Sequence, residues 1–325
     1  MLEQTAEIPL VTVPYEGLLF IGDPHVCAFP PGFRLDDYRQ TVLGKLQYCL
    51  DLAGTRRSLP IILGDLFHVP RDNPNALLVA LMELFRPHRP WVLVGNHDKH
   101  EARLTPDVSL SVLAAAGVVR LLESPGPVAS MLIAGKKVLL GASPDWTPIP
   151  RQVERGDHDA VVWLTHHDLT FPGYESGRTA LREVPGVDLV VNGHIHLPKV
   201  PQQVGQTLWL NPGSLVRISR SLPARDMHPV VTIWTPLVPS LEAIEVPHAP
   251  FDEVFPPLDT AGEDLPGWVD QSMFIKGLEN LAMRRTSEGI GLRTFLETNL
   301  DPQSSIDGII WELYEEVMSH GQEGE

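Results

Sequence analysis

Trp91-Val92-Leu93-Val94-Gly95-Asn96-His97-Asp98 is an apolar run that ends abruptly in polar, chemically capable residues. It is rich in Val and Leu and too short for a typical helix, so it reads as a buried strand. Gly95 permits a sharp turn that a bulkier residue would resist. Asn96, His97 and Asp98 then stand at the carboxyl end of the strand, where open α/β sheets gather their ligands. The reading decides the fold because the same punctuation recurs along the chain.

Leu18-Leu19-Phe20-Ile21 runs into Gly22-Asp23-Pro24-His25, and Pro60-Ile61-Ile62-Leu63 into Gly64-Asp65-Leu66-Phe67-His68. Residues 160–165 end at His166-His167-Asp168, and 188–191 at Asn192-Gly193-His194-Ile195-His196. Thr207-Leu208-Trp209-Leu210 leads into Asn211-Pro212-Gly213-Ser214, while 136–140 and 229–234 supply two further strands. Helical spacing covers 35–53, 75–85 and 107–116, and the Pro-rich passage 143–150 is a loop holding Asp145 and Trp146. Strand and helix alternate from 18 to 94, which points to βαβ units and a largely parallel sheet.

A chain of 325 residues with 43% hydrophobic and 20% charged content has ample material for a soluble core. No membrane segment is evident, and residues 1–20 lack the basic start of a secretory signal. Two cysteines, Cys27 and Cys49, favour reduced thiols and a cytoplasmic setting. The net charge of -16 argues against a polyanionic partner, but its distribution changes that. Residues 251–325 hold 16 acids against 4 bases, leaving 25 against 21 in residues 1–250, so a basic groove on the body stays open. The chain therefore reads as a body, 1–247, followed by an acidic, Pro-punctuated linker and helical region, 248–325. Helical stretches there are 273–283, 291–298 and the amphipathic 306–318.

Asp23, His25, Asp65, Asn96, His166, His194 and His196 offer carboxylate, amide oxygen and imidazole but no thiolate, a set that suits manganese, magnesium, iron or zinc. Seven ligands exceed one ion and suit two that share a carboxylate, and Asp65, alone on its loop, is the natural bridge. Two ions about 3.5–4 Å apart clamp a phosphate and activate water near neutral pH. His97, beside the ligand Asn96, is placed to protonate a leaving alkoxide, with Asp98 as its orienting partner. Alternation along Gly193-His194-Ile195-His196 sends both imidazoles to one side.

Together, Asp23-x-His25, Gly64-Asp65, Gly95-Asn96-His97-Asp98, His166 and Gly193-His194-x-His196 resemble the calcineurin-like metallophosphoesterase signature, in order, across residues 18 to about 235. The resemblance implies an α/β, four-layer αββα sandwich: two mixed sheets packed together, helices outside, a small C-terminal helical appendage. It assigns one metal to Asp23, His25, Asp65 and His196, and the other to Asp65, Asn96, His166 and His194, with manganese favoured and His97 matching the catalytic histidine. His167 is the lesser alternative to His166.

Gly64-Asp65-Leu66-Phe67-His68 is similar to the segment of double-strand-break repair nucleases of the SbcD type, in which a histidine at the place of His68 assists near the phosphate. Asn211-Pro212-Gly213-Ser214 resembles their Pro-Gly-Ser turn. This implies DNA as substrate, a helical grip on an SMC-type ATPase, and room for a homodimer. Asn211, Gly213, Ser214 and Arg217, with Lys99, Arg151 and Arg220, are candidate contacts for flanking phosphates. Those nucleases carry an additional capping domain that reads DNA, whereas some 75 residues of the acidic region follow Pro250 here. Two rivals stand beside a DNA nuclease: a phosphatase or phosphodiesterase for a small nucleotide or phosphoprotein, favoured by net acidity, and a metal-binding scaffold without turnover.

Overall fold

The computed structural model describes residues 10–175, 177–237 and 240–257. In chain order the elements are β1 (Leu10–Tyr15), β2 (Gly17–Ile21), α1 (Tyr38–Thr55), β3 (Ser58–Ile62), α2 (Asn75–Phe85), β4 (Trp91–Leu93), α3 (Ser109–Ala115), β5 (Arg120–Leu122), β6 (Gly126–Ile133), β7 (Lys136–Ser143), β8 (Ala160–Thr165), β9 (Leu169–Thr170), β10 (Thr179–Ala180), β11 (Leu189–Asn192), β12 (Lys199–Val204), β13 (Thr207–Asn211), α4 (Leu222–Arg225), β14 (Val230–Thr235), β15 (Ser240–Glu245) and α5 (Phe251–Val254).

Among the described residues β9 and β10 pair as a separate two-stranded sheet, and the other thirteen strands form two mixed sheets. One has six strands in the order β15-β14-β2-β3-β4-β5, the other seven in the order β1-β6-β7-β8-β11-β13-β12. The expected βαβ run is present: β2, β3, β4 and β5 are parallel, with α1, α2 and α3 between them. In the second sheet β7, β8, β11 and β13 are parallel.

Alternation along each strand decides which layer a side chain joins. Leu18, Phe20, Leu59, Ile61, Trp91 and Leu93 face the second sheet and meet Leu140, Val162, Leu164, Leu189 and Val191 in a shared core. Their neighbours Leu19, Ile21, Ile62 and Val92 face the other way, against Val42, Leu46 and Leu50 of α1 and Leu77 and Leu81 of α2. Strands buried on both faces read as continuous apolar runs, which is why these segments stand out. On the outer face of the seven-stranded sheet, Val161, Trp163, Val190 and Trp209 are covered by loop residues including Phe171, Val184 and Val187.

The body continues past Pro247: Val246 donates to the Pro229 carbonyl, and Leu35 to that of Val254. The described residues fall within one compact unit. The expected helices at 273–283, 291–298 and 306–318 lie outside the described residues. Among the described residues no helix is long and apolar enough to cross a membrane. Cys27 and Cys49 are buried and unpaired.

Candidate dinuclear metal centre

Both sheets deliver ligands to one place. Asp23 and His25 follow β2, Asp65 follows β3 and Asn96 follows β4, all from the six-stranded sheet. His166 follows β8, and His194 and His196 follow β11, from the seven-stranded one. Donor atoms of Asp23, His25, Asp65 and His196 lie within 4.8 Å of one another, as do those of Asp65, His166 and His194. Asp65 belongs to both groups.

The amide oxygen of Asn96 completes the second group, 3.1 Å from His166 Nε2 and 2.8 Å from His194 Nδ1. In the first group His25 Nε2 and His196 Nε2 are 3.0 Å apart, and Asp65 Oδ2 is 3.8 Å from the former. Asp23 Oδ2 is buried without a hydrogen-bond partner. A bare carboxylate oxygen among converging imidazoles is a costly arrangement unless a cation sits between them. The donor set thus fits two divalent ions, and these seven residues would hold them.

The backbone is bent to serve this convergence. Asp23, His25, Asp65 and His194 have φ values of 38°, 48°, 49° and 73°. Left-handed backbone at a non-glycine residue costs on the order of 1–3 kcal/mol and clusters at functional sites. Gly64, at φ 105°, carries Asp65 into place beside His166, whose Nδ1 would lie 2.3 Å from a Cβ there. Gly95 has another reason than the sharp turn its sequence suggests: a Cβ would come within 2.2 Å of Asp65 Oδ1.

Supporting bonds fix the ligands. His166 Nδ1 donates to the Leu63 carbonyl at 2.7 Å, which leaves Nε2 for a metal. Asp23 Oδ1 accepts the His194 N–H at 2.9 Å, and the Tyr38 hydroxyl donates to the His25 carbonyl at 2.8 Å. His167 is turned away, its Nε2 donating to the Thr147 carbonyl at 2.6 Å. The charges follow from burial and neighbours. Burial pushes Asp23 up to about 7, against the pull of His166. Burial also opposes ionisation of Asp65, yet His166 and His97 hold it well below the usual range.

His97 sits at the edge of the centre, its ring 4.9 Å from that of His25. Nδ1 donates to the His68 carbonyl at 2.8 Å, leaving Nε2 to exchange a proton with substrate. The rings of His68 and His97 are stacked, 5.6 Å apart. Burial, then His97, lowers His68 to about 4, so it is a neutral neighbour.

Several expected roles change. Asp98 does not orient His97 directly: its oxygens accept from the backbone N–H groups of Phe67 at 3.1 Å and Gly95 at 2.9 Å. It holds the two loops together, and His97 is held by the His68 carbonyl instead. Each of the four candidate substrate contacts is engaged within the protein. Asn211 donates to the carbonyl of Ile195 at 2.8 Å and accepts from Asn192 at 3.1 Å. The Ser214 hydroxyl lies 2.9 Å from the Asp23 carbonyl. Gly213, at φ 84°, packs on Pro198 and the His196 carbonyl. Arg217 is buried and donates to the Ala249 carbonyl at 2.8 Å. Lys99 is buried in an ion pair with Asp145 at 3.1 Å, and Arg220 bonds the carbonyls of Pro256 and Pro257. Arg151 remains exposed.

Sequence reasoning missed Tyr38 and Asn192. Asn192 accepts from Thr165 Oγ1 and the His167 N–H and donates to the His167 carbonyl, tying the ends of β8 and β11. Its signal was a polar residue closing an otherwise apolar strand.

Residues 18–198 match the family model of the calcineurin-like phosphoesterases. No curated protein matches the chain. Among solved structures, it is similar to a conserved uncharacterized protein, a predicted phosphoesterase, from Streptococcus pneumoniae TIGR4, with 12% identity, 71% of this chain and 97% of that one covered, and a TM-score of 0.30. Since the family match spans more than half of the 325 residues and contains all seven ligands and His97, the chain belongs to the calcineurin-like phosphoesterases, which hydrolyse phosphoesters with divalent metals.

Proposed function

We propose that this phosphoesterase is a phosphodiesterase that cleaves DNA, in the style of the SbcD-type nucleases its motifs resemble. The stack of His68 on His97 carries the reading. A sugar alkoxide is a poor leaving group and needs a proton. His97, its Nδ1 fixed on the His68 carbonyl, presents Nε2 to supply it. Neutral His68 lies against the ring that would take the charge.

Bound divalent ions, with manganese favoured, supply Lewis acidity and a nucleophilic water near neutral pH. Asp65 would hold both ions. Asp98 keeps the loops of Asp65 and Asn96 in register through Phe67 and Gly95. The two buried thiols suit a reducing cytoplasm. The C-terminal helices as a grip for an SMC-type ATPase belong to the same reading.

A second reading, a small phosphoester substrate, is favoured by the engagement of Lys99 and Arg217 inside the protein, which removes two of the cations expected to follow a DNA backbone. Incubation of the manganese- or magnesium-loaded protein with linear DNA and with an aryl phosphodiester separates the two. Degradation of DNA is the expected result. Turnover of the aryl ester with DNA left intact under both metals would establish the small-substrate reading instead.

A further inference from the structure

A cavity of about 510 Å³ lies at α1 and the segments 217 and 247–254, and no metal ligand lines it. This volume is in the range of small-molecule sites. Three cations line it, Arg34, Lys45 and Arg217, each at most 7% exposed, against one carboxylate, Asp36. Three buried cations against one carboxylate leave this lining with an excess of positive charge.

The bonds of these residues show what is lacking. Asp36 is already engaged by Arg34, at 2.9 and 2.7 Å, and by the Thr41 hydroxyl at 2.6 Å. Lys45 donates to the Leu215 carbonyl at 2.9 Å, one bond for a group with three donors. Arg217 donates to the Ala249 carbonyl at 2.8 Å, one bond for five donors. Carbonyl dipoles alone compensate poorly for taking a full charge out of water. Burial, followed by Arg34 and Arg217, depresses Lys45 to about 7.

We infer that this cavity is a second ligand site, separate from the metal centre, for a small phosphate-bearing anion no larger than a mononucleotide, with Lys45 and Arg217 as its charge partners. An anion there supplies the counter-charge both side chains lack. It also bears on the loop after Ser214, since Lys45 holds the Leu215 carbonyl and Arg34 the Arg217 carbonyl at 2.6 Å.

Calorimetry on metal-stripped full-length protein, with inorganic phosphate and with adenosine monophosphate at matched ionic strength, tests the site without reading hydrolysis, so it stands apart from the proposed substrate. One equivalent of either probe is expected to bind. Binding of phosphate alone assigns the site to the free anion, and tighter binding of the nucleotide assigns it to the ester. Gly44 lines the cavity from α1 with open space around a Cβ, so Gly44→Glu is tolerated by the fold. The like charge it adds weakens binding by about tenfold or more. Lys45→Met is expected to abolish binding, and Gly44→Glu decides the matter if that variant fails to fold. No binding to the wild type, or unchanged affinity in a folded Gly44→Glu or Lys45→Met protein, overturns the inference.

Discussion

The backbone N–H of His97 donates to Oδ1 of Asp65 at 2.8 Å, so the candidate proton donor and the shared metal ligand are tied through the main chain. His97→Ala keeps that bond, because it removes only the ring. We expect two full equivalents of metal in this variant and a loss of hydrolysis of about 10²–10⁴-fold. Metal analysis beside a rate measurement checks both. Loss of metal would place His97 among the ligands.

Asp65→Ala is expected to lose both ions, since both ligand groups include it. Two equivalents retained by elemental analysis would show that each ion has a complete set without it.

Gly95→Ala changes no ligand, yet the added Cβ would sit 2.2 Å from Asp65 Oδ1 and 2.4 Å from the Asp65 nitrogen. The backbone cannot yield there without moving the shared carboxylate. Metal content should fall as it does in Asp65→Ala, and a variant that binds two ions normally would show that the loops give way at no cost to the centre.

Asp98→Ala leaves the buried N–H groups of Phe67 and Gly95 without acceptors. Each costs about 1–3 kcal/mol. Urea unfolding should show a loss in that range or above. Stability equal to the wild type would mean that other acceptors replace the carboxylate.

Lys45 gives a pH signature. Its pKa is lowered from 10.5 to about 7 by burial, then by Arg34 and Arg217. Between these values the unfolded chain holds the proton and the folded chain does not. The contribution of this group to stability therefore rises with pH, from about 7 until the unfolded value is passed. In Lys45→Met that part of the slope disappears. Parallel stability curves for the two proteins between pH 7 and 10 would show that Lys45 is solvated as an ordinary lysine.

Strands buried on both faces and closed by a polar turn were legible, as at Leu18–Ile21 and Trp91–Val94, because continuous apolar runs need no knowledge of their neighbours. Strand β12, Lys-Val-Pro-Gln-Gln-Val, is not among the strands read from the sequence: it is an edge strand, half exposed, and only its pairing with β13 makes it a strand. The ligands were legible because each sits where a strand stops. The work of Asp98, Asn211, Ser214 and Arg217 was not, since each meets a backbone group on a distant or separate loop, and nothing local to the residue announces that partner.

The division of the ligands between the sheets has a mechanical consequence. Apolar packing between the layers is non-directional and resists sliding weakly. At the strand ends, directional contacts cross the same gap: the His194 N–H to Asp23, and His166 to Leu63 and, at 3.3 Å, to Asp65. Ions held by both layers would pin that margin further. The margin that carries the centre is thereby fastened by directional bonds as well as by apolar packing, and the two sheets are held in register where the chemistry needs them.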